Sequence, residues 1–226
     1  MDAAPSEPGH YPVVLVVAGR PALVVGGGPV AARKVAGLAR CGARVTVVAR
    51  APGADLEAVA ARWPGQVQVD RRAYRPGEAA GYRLVVTATG VPDVDGAVAA
   101  DAEAAGVWVN SADDVAHCTF LLPSVHRDGP VTVAVSTAGT SPALAAWLRR
   151  RLARMAGPSL GALARFLGES RAALQAGGLP TSHVDWKGLL DGRLPDLVAE
   201  GRLDEARELV ADATDAGRDS RGAPPP

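Results

Sequence analysis

Residues 22–31 read A-L-V-V-G-G-G-P-V-A, and this stretch decides the fold class. The apolar run 22–25 predicts a buried strand, and the spacing of apolar residues after Val30 predicts a helix. The three positions Gly26, Gly28 and Ala31 therefore fit the G-x-G-x-x-A motif in the strand–turn–helix context that it requires. Such glycines permit a tight turn and let a pyrophosphate approach the backbone at the helix N-terminus. The stretch predicts a dinucleotide site, and a purely structural glycine turn is the alternative.

The alternation of strand and helix continues on both sides of this motif. Apolar periodicity and Gly/Pro punctuation predict strands at 13–17, 22–25, 44–49, 67–69, 84–87 and 107–110, and helices at 30–41, 55–62 and 93–105. This order predicts an α/β fold with a Rossmann-like doubly wound parallel sheet. The loops after Val25, Ala49, Thr87 and Val109 are then expected to line one crevice.

The pattern changes after Asn110. Two more strands are predicted at 119–122 and 131–136 and are expected to pair across an interface, and helices follow at 141–155, 159–175, 186–200 and 203–212. We therefore predict a dinucleotide-binding Rossmann domain at 1–115, a small dimerisation segment at 116–157, a C-terminal helical domain at 158–215 and a disordered tail at 216–226.

Composition narrows the class of partner. The chain has 226 residues, with 24 basic and 24 acidic side chains, so its formal net charge is zero. No overall field attracts nucleic acid or an anionic membrane, and we expect neither as a partner. Residues 1–10 contain acids and no apolar core, and the longest uncharged stretch, 129–148, is broken by prolines and hydroxyls. We therefore expect no signal peptide, no membrane span and a cytoplasmic location.

The cysteines and histidines give no metal signature. Cys41 and Cys118 lie far apart and outside any CxxC pattern, so we expect two inert buried thiols in a reducing compartment. His117 and His126 lack tight ligand spacing and are expected to be structural. No metal site is predicted.

Two positions near predicted strand ends bear on chemistry. Asp113 and Asp114 follow the strand that ends at Asn110, where a carboxylate can accept a proton or orient a substrate. An Asx turn or a helix N-cap is the alternative, and the pattern does not separate the two aspartates. Arg50 stands where a carboxylate that binds the ribose is usual. An arginine there can favour a 2′-phosphate, so the residues alone predict NADP as readily as NAD, and a solvated arginine without a role in ligand binding is an equal alternative.

A second group of polar residues follows the strand at 131–136. Thr140 and Ser141 lie at a helix start, which is a small anion site, and Arg127 lies in the preceding turn. Arg149 belongs to a basic cluster near the helix end, together with Arg150, Arg151 and Arg154. These arginines either complement the helix dipole and face solvent or receive carboxylates.

Taken together, these residues resemble the precorrin-2 dehydrogenase family, the N-terminal module of siroheme synthases. The resemblance rests on the G-G-G-x-V-A-x-R-K stretch at 26–34, N-x-x-D at 110–113, F-L-L-P-S at 120–124 and S-T-x-G-x-S-P at 136–142, and the region of Trp186 resembles the family's helical end. It implies NAD-dependent oxidation of precorrin-2, a tetrapyrrole, to sirohydrochlorin by a homodimer, and some relatives also insert ferrous iron.

The resemblance also implies roles for individual residues. Asp113 maps onto the catalytic aspartate, and because the family uses NAD without a ribose carboxylate, NAD is favoured over NADP. The expected cofactor contacts are Gly26, Gly28, Pro29, Val30, Arg50, Ala51 and Thr89. The expected substrate contacts are Asn110, Arg127, Thr140, Ser141 and Arg149.

The chain departs from the family at two places, and two other classes of function stay open. Relatives carry an acidic A-T-D-D turn where this chain has A-T-G-V at 88–91, and Ser111 replaces an aliphatic residue. A dimeric nicotinamide-sensing regulator would bind the nucleotide without turnover. A chelatase without dehydrogenase activity would insert metal without a cofactor.

Overall fold

The computed structural model describes residues 9–157 and 159–222, and the chain divides into two compact units, one ending at Leu122 and one beginning at Pro123. The division falls later than the predicted domain boundary at 115. The reason is that Thr119 and Phe120 return to β5, where both backbone N–H groups donate to the carbonyl of Val109. In the described part of the chain, no helix combines the length and apolar character needed to cross a membrane.

The first unit is a parallel sheet of five strands in the order β3-β2-β1-β4-β5, covered by helices on both faces. Its strands are β1 (Pro21–Val25), β2 (Arg44–Val48), β3 (Val67–Asp70), β4 (Leu84–Thr87) and β5 (Trp108–Ser111), and its helices are α1 (Pro29–Arg40), α2 (Ala54–Arg62) and α3 (Pro92–Ala104). The predicted Rossmann-like doubly wound sheet is confirmed.

Alternation along β1 explains why both faces are covered. Val24 packs with α1 and α2 on one face, whereas Leu23 and Val25 pack with α3 on the other. Successive side chains of a strand point to opposite faces, so an all-apolar strand needs a helix layer on each side. The small core residues Ala31 and Ala32 let α1 lie close to the sheet.

The second unit combines a two-stranded antiparallel sheet with five helices among its described residues. The hairpin consists of β6 (Ser124–Asp128) and β7 (Val131–Val135), and the helices are α4 (Pro142–Ala156), α5 (Leu160–Ala176), α6 (Trp186–Asp191), α7 (Leu194–Ala199) and α8 (Leu203–Gly222). Phe166, Leu194 and Leu197 lie at the centre of the helical core.

Two predicted strands are wrong. Residues 13–17 form no strand and leave Val14 93% exposed, because both edges of the neighbouring strand β1 are already occupied by β2 and β4. Residues 119–122 form a loop, and the strand begins instead at Ser124, where the Gly129-Pro130 turn sets the register with β7. That hairpin pairs within the chain.

Three smaller expectations also differ from the structure. The helix predicted at 186–200 is two helices, because Gly192 between them has non-helical dihedrals. Helix α8 continues to Gly222 and so enters the segment 216–226 predicted as a disordered tail, of which 223–226 lie outside the described residues. Cys41 is exposed and Cys118 is half-buried, so the expectation of two buried thiols is wrong, and neither is disulfide-bonded within the described chain.

Candidate functional site

The glycine turn joins the end of β1 to the start of α1. Gly26 has φ 134°, and a Cβ there would collide with the carbonyl oxygen of Ala88. Gly28 is exposed, caps α1 without a side chain, and would meet nothing within 4 Å if it carried a Cβ. The first N–H groups of a helix have no partner within the helix and lie at the positive end of its dipole. The turn therefore offers open backbone to an anionic group such as a pyrophosphate.

Backbone hydrogen bonds bring four loops to one end of the sheet. The N–H of Gly26 donates to Val48 O at 3.0 Å, and the N–H of Gly53 donates to Gly27 O at 2.9 Å. On the other side, the N–H of Ala112 donates to Thr87 O at 2.9 Å. The strand order reverses between β1 and β4, and ligands of open α/β sheets bind at such a switch point.

Arg50 and Ala51 follow β2 and are both exposed. The carbonyl of Ala51 lies beside the glycine turn, 2.7 Å from where a Cβ of Gly27 would be. Arg50 forms no ion pair with any described residue, so its guanidinium is available to a ligand. Asp70, the acid at the end of the neighbouring strand β3, is paired with Arg72 at 3.0 Å.

Thr89 is held by Asp95, a residue that the sequence analysis missed. Asp95 lies in the first turn of α3 and is only 7% exposed. Its carboxylate accepts from the Thr87 hydroxyl, from the Thr89 N–H at 3.1 Å and from the Thr89 hydroxyl at 2.8 Å. An acid in the first helical turn after a strand is a detectable signal, since carboxylates are favoured there. Asp95 thus fixes the loop that follows β4.

The loop after β5 separates the two aspartates. Asp114 accepts from the N–H of Ala116 at 2.9 Å, so it caps the short 3-10 turn Val115–His117, and its other oxygen pairs with His117 Nδ1 at 3.0 Å. Asp113 is exposed, and no hydrogen bond engages its carboxylate within the described residues. Of the two carboxylates, Asp113 is the one left open to a ligand.

Asn110 and Lys34 form a half-buried polar contact beneath this loop. Asn110 is 5% exposed, and its Oδ1 accepts from Lys34 Nζ at 3.3 Å while its Nδ2 donates to Phe120 O at 3.1 Å. Burial lowers the pKa of Lys34, and the negative charge of Asp113 opposes that effect. Lys34 was missed as a site residue because sequence spacing does not show that it reaches β5.

The other predicted substrate contacts lie in the second unit. Ser141 accepts from the N–H of Leu144 at 3.2 Å, so the predicted cap of α4 is present, and Thr140 lies exposed in the preceding turn. Arg149 Nε donates to Ser124 Oγ at 3.0 Å. Arg127 donates to Thr132 Oγ1 at 3.3 Å and borders a cavity of about 420 Å³ that Arg154 also lines.

Metal ligands do not cluster in the described residues: no group of three or more His, Cys, Asp or Glu side chains could hold a metal ion there. His117 pairs with Asp114, and His126 lines the cavity beside Arg127.

Comparisons with known proteins cover both units. Residues 13–124 match the family model described as putative NAD(P)-binding, and residues 128–155 match the model described as sirohaem biosynthesis protein central. The siroheme synthase of Methylococcus capsulatus is 35% identical over 92% of this chain and 44% of its own length. That of Neisseria meningitidis is 34% identical over 94% of this chain and 44% of its own length.

A solved structure agrees with these matches. SirC, precorrin-2 dehydrogenase, superposes with a TM-score of 0.66 at 26% identity, covering 93% of this chain and 98% of that one. The chain spans about 44% of the length of the siroheme synthases that it matches. By sequence and by fold, the chain belongs to the siroheme synthase and precorrin-2 dehydrogenase family.

Proposed function

We propose that this chain oxidises precorrin-2 to sirohydrochlorin with NAD⁺, a step of siroheme biosynthesis. The names of its relatives support this activity. The structural observation that carries it is the convergence, within one unit, of an open glycine turn and an unengaged carboxylate. The N–H of Ala112, next to Asp113, bonds the end of β4, and β4 lies beside the strand that leads into Gly26.

The residues at the glycine turn fit a dinucleotide. The turn has no room for a side chain at Gly26, where a Cβ would strike Ala88 O, and its backbone is open at Gly28. A pyrophosphate needs such open backbone, because phosphate oxygens must reach backbone N–H groups directly. Gly28 and Val30 would offer their backbone N–H groups to the pyrophosphate, while Gly26 and Pro29 would shape the turn against which it lies. The loop residues Arg50, Ala51 and Thr89 would contact the rest of the nucleotide. Bound NAD⁺ supplies a hydride acceptor.

Asp113 would act on the proton. Removal of two hydrogens from the macrocycle releases one hydride and one proton, and an exposed carboxylate can take that proton or hold a pyrrole N–H in place. Asp114 is less suited, because one of its oxygens caps a turn and the other pairs with His117. The geometry therefore supports Asp113 for this role, as the family resemblance implies.

The substrate's carboxylates would need positive counter-charges. Arg127 and Arg149 can supply them as charge-assisted hydrogen bonds, and Thr140 and Ser141 at the start of α4 offer further donors. Asn110 is buried and bonded on both sides of its amide, which favours a supporting role for it over direct substrate contact.

We also propose that the protein works as a homodimer in the cytoplasm. Helix α4 exposes Leu144, Trp147, Leu152 and Met155, the last of them by 75%, and such apolar side chains suit an interface with a second copy. Two cysteines without a disulfide in the described chain are consistent with a reducing compartment.

The test is anaerobic incubation of the purified protein with enzymatically generated precorrin-2 and either NAD⁺ or NADP⁺. Absorbance at 340 nm and the porphyrinoid spectrum are recorded, with and without ferrous or cobaltous ions. Formation of sirohydrochlorin only with a nicotinamide cofactor supports the dehydrogenase. A second, metal-dependent spectral change would add iron insertion, with ferrous iron as a further substrate.

A Gly28→Val variant separates the alternatives. Its side chain would occupy the space left open for phosphate without meeting protein atoms near Cβ. A dehydrogenase loses turnover in this variant, whereas a chelatase keeps metal insertion because that reaction needs no dinucleotide. Nucleotide binding by the wild-type protein without turnover would favour the sensing regulator.

A further inference from the structure

Lys34 is an unusual residue in this chain. Of the 24 basic residues, only Lys34 and Lys187 are lysines, and every other one is arginine. Lys34 lies on α1, the helix whose N-terminus forms the proposed dinucleotide site, and its side chain is half-buried. Lys187 is exposed and pairs with Asp191 one helical turn away.

The ammonium of Lys34 connects α1 to β5. Its Nζ donates to Asn110 Oδ1 at 3.3 Å, and the Nδ2 of the same amide donates to Phe120 O at 3.1 Å and to Cys118 Sγ at 3.5 Å. Because one side of an amide accepts and the other donates, these partners determine which way round the Asn110 side chain lies. A protonated lysine can only donate, so it selects the oxygen side.

The Asn110 amide in turn closes the loop that carries Asp113. Both ends of this loop meet at the end of β5: the N–H of Ser111 contacts Cys118 Sγ at 3.2 Å, and the N–H of Thr119 donates to Val109 O at 2.9 Å. Asn110 adds the bond to Phe120 across the same base. Displacement of this amide would loosen the base of the loop.

We infer that Lys34 is a positioning residue for the proposed oxidation: by fixing the amide of Asn110, its ammonium couples the dinucleotide-binding helix α1 to the loop that carries Asp113. This inference rests on the proposed function. Small misplacement of a reacting group is costly, so a lost anchor beneath Asp113 is expected to lower kcat more than it weakens nucleotide binding.

The charges around Lys34 fit this role. Burial lowers its pKa, the neighbouring Arg33 on α1 adds to that effect, and the negative charge of Asp113 opposes it. Loss of the proton would turn Nζ into a weaker donor to Asn110. A lysine can lose its proton in this environment, whereas an arginine stays charged.

The first test measures the protonation of Lys34 by NMR and needs no substrate turnover. With only two lysines in the chain, labelling with ¹³Cε-lysine gives two NMR resonances, and Lys187→Arg assigns them. The Lys34 resonance is expected to titrate below the ordinary range for lysine. Asp113→Asn should shift this titration to lower pH because it removes a stabilising negative charge, and Arg33→Gln should shift it to higher pH. Asp114→Asn is the control for a charge change in the same loop.

The second test measures kinetics of Lys34→Gln, Lys34→Arg and the matched control Arg33→Gln, which removes a charge from the same helix but not the bond to Asn110. We expect kcat of Lys34→Gln to fall roughly 10- to 100-fold while the Kd for NADH changes little. Arg33→Gln should keep kcat. Loss of the Lys34 proton should lower kcat at high pH, and Lys34→Arg should move that fall to higher pH because an arginine stays charged.

The outcomes distinguish the two proposals. No turnover of precorrin-2 by the wild-type protein would overturn the proposed function. Turnover by the wild type with equal kcat in Lys34→Gln, or a Lys34 titration that Asp113→Asn leaves unchanged, would overturn the role of Lys34 alone. Thermal unfolding of each variant shows that the fold is retained, and the titration of the wild-type protein needs no variant to fold.

Discussion

Alanine substitution should leave the stability of the fold nearly unchanged at Gly28 and lower it at Gly26, although both glycines belong to the same turn. Gly28 has φ −82° and ψ −177°, and a Cβ there would meet nothing within 4 Å. Alanine at this position reduces the entropy of the unfolded chain by about 0.4–1 kcal/mol, which stabilises the fold, and loses a similar amount as a poorer N-cap. The free energy of unfolding should therefore stay within about 0.5 kcal/mol of wild type.

Gly26 gives the contrasting case. Its φ of 134° strains any side-chain-bearing residue, at about 1–2 kcal/mol, and the added Cβ would collide with the carbonyl of Ala88. Displacing packed backbone adds about 1–3 kcal/mol, so Gly26→Ala should lose about 2–5 kcal/mol in total. Urea unfolding, followed by fluorescence of Trp63 and Trp108 in the same unit, measures both variants.

Gly28→Ala should weaken nucleotide binding even though it leaves the stability of the fold nearly unchanged. Gly28→Ala keeps the fold but places a methyl group where a phosphate would approach the backbone, so the Kd for NADH should rise about tenfold or more, equivalent to about 1.4 kcal/mol. Titration of NADH fluorescence measures it. A folded Gly28→Ala protein that binds NADH as tightly as wild type would refute the assignment of the pyrophosphate to this turn. A Gly26→Ala protein as stable as wild type would refute the steric argument.

Three further predictions concern carboxylates and a tyrosine. Asp113→Asn should lower kcat for precorrin-2 oxidation by about 10²–10⁴-fold at unchanged stability. Asp114→Asn should keep most of the activity, because asparagine can also cap the short turn that follows. Equal losses of kcat for the two variants in steady-state assays would contradict this prediction. Asp95→Ala leaves the donors of Thr89 without their acceptor, so the free energy of unfolding measured in urea should fall by about 2–4 kcal/mol, and NADH should bind more weakly. Wild-type values for both quantities would count against the role of Asp95. Burial and the hydrogen bond to Asp101 raise the pKa of Tyr74 above its ordinary value, so the unfolded chain loses that proton first. The free energy of unfolding should then fall above about pH 10, and Tyr74→Phe should flatten that fall in urea titrations at several pH values.

The sequence predicted most of the sheet because local and tertiary preferences agree there. The run 22–25 is apolar at every position, and the same holds at 84–87 apart from Thr87, a pattern that favours strands buried on both faces. The residues 13–17 carry a similar apolar pattern but form no strand, because β1 already has a partner on each side. The apolar pattern of a segment therefore indicates that it can form a strand, but not whether another strand has a free edge with which it can pair.

The glycine turn, the helix that follows it and the loop with Asp113 could all be found from motif and spacing, since each is encoded within a few consecutive residues. The family resemblance selected Asp113 over Asp114, and the tertiary structure supplied the physical difference, because the capping bond of Asp114 to Ala116 depends on the path of the loop. The structure also revealed Asp95 and Lys34: Asp95, for which the sequence held only a helix-start signal, holds the loop after β4, and Lys34 reaches Asn110 across 76 positions of sequence. The sequence determined which chemistry is carried at the strand ends through local rules of strand, turn and helix. Which side chains are held, and which are left open to a ligand, was decided by the folded path of the loops, and for Lys34 by a long-range contact that no local pattern encodes.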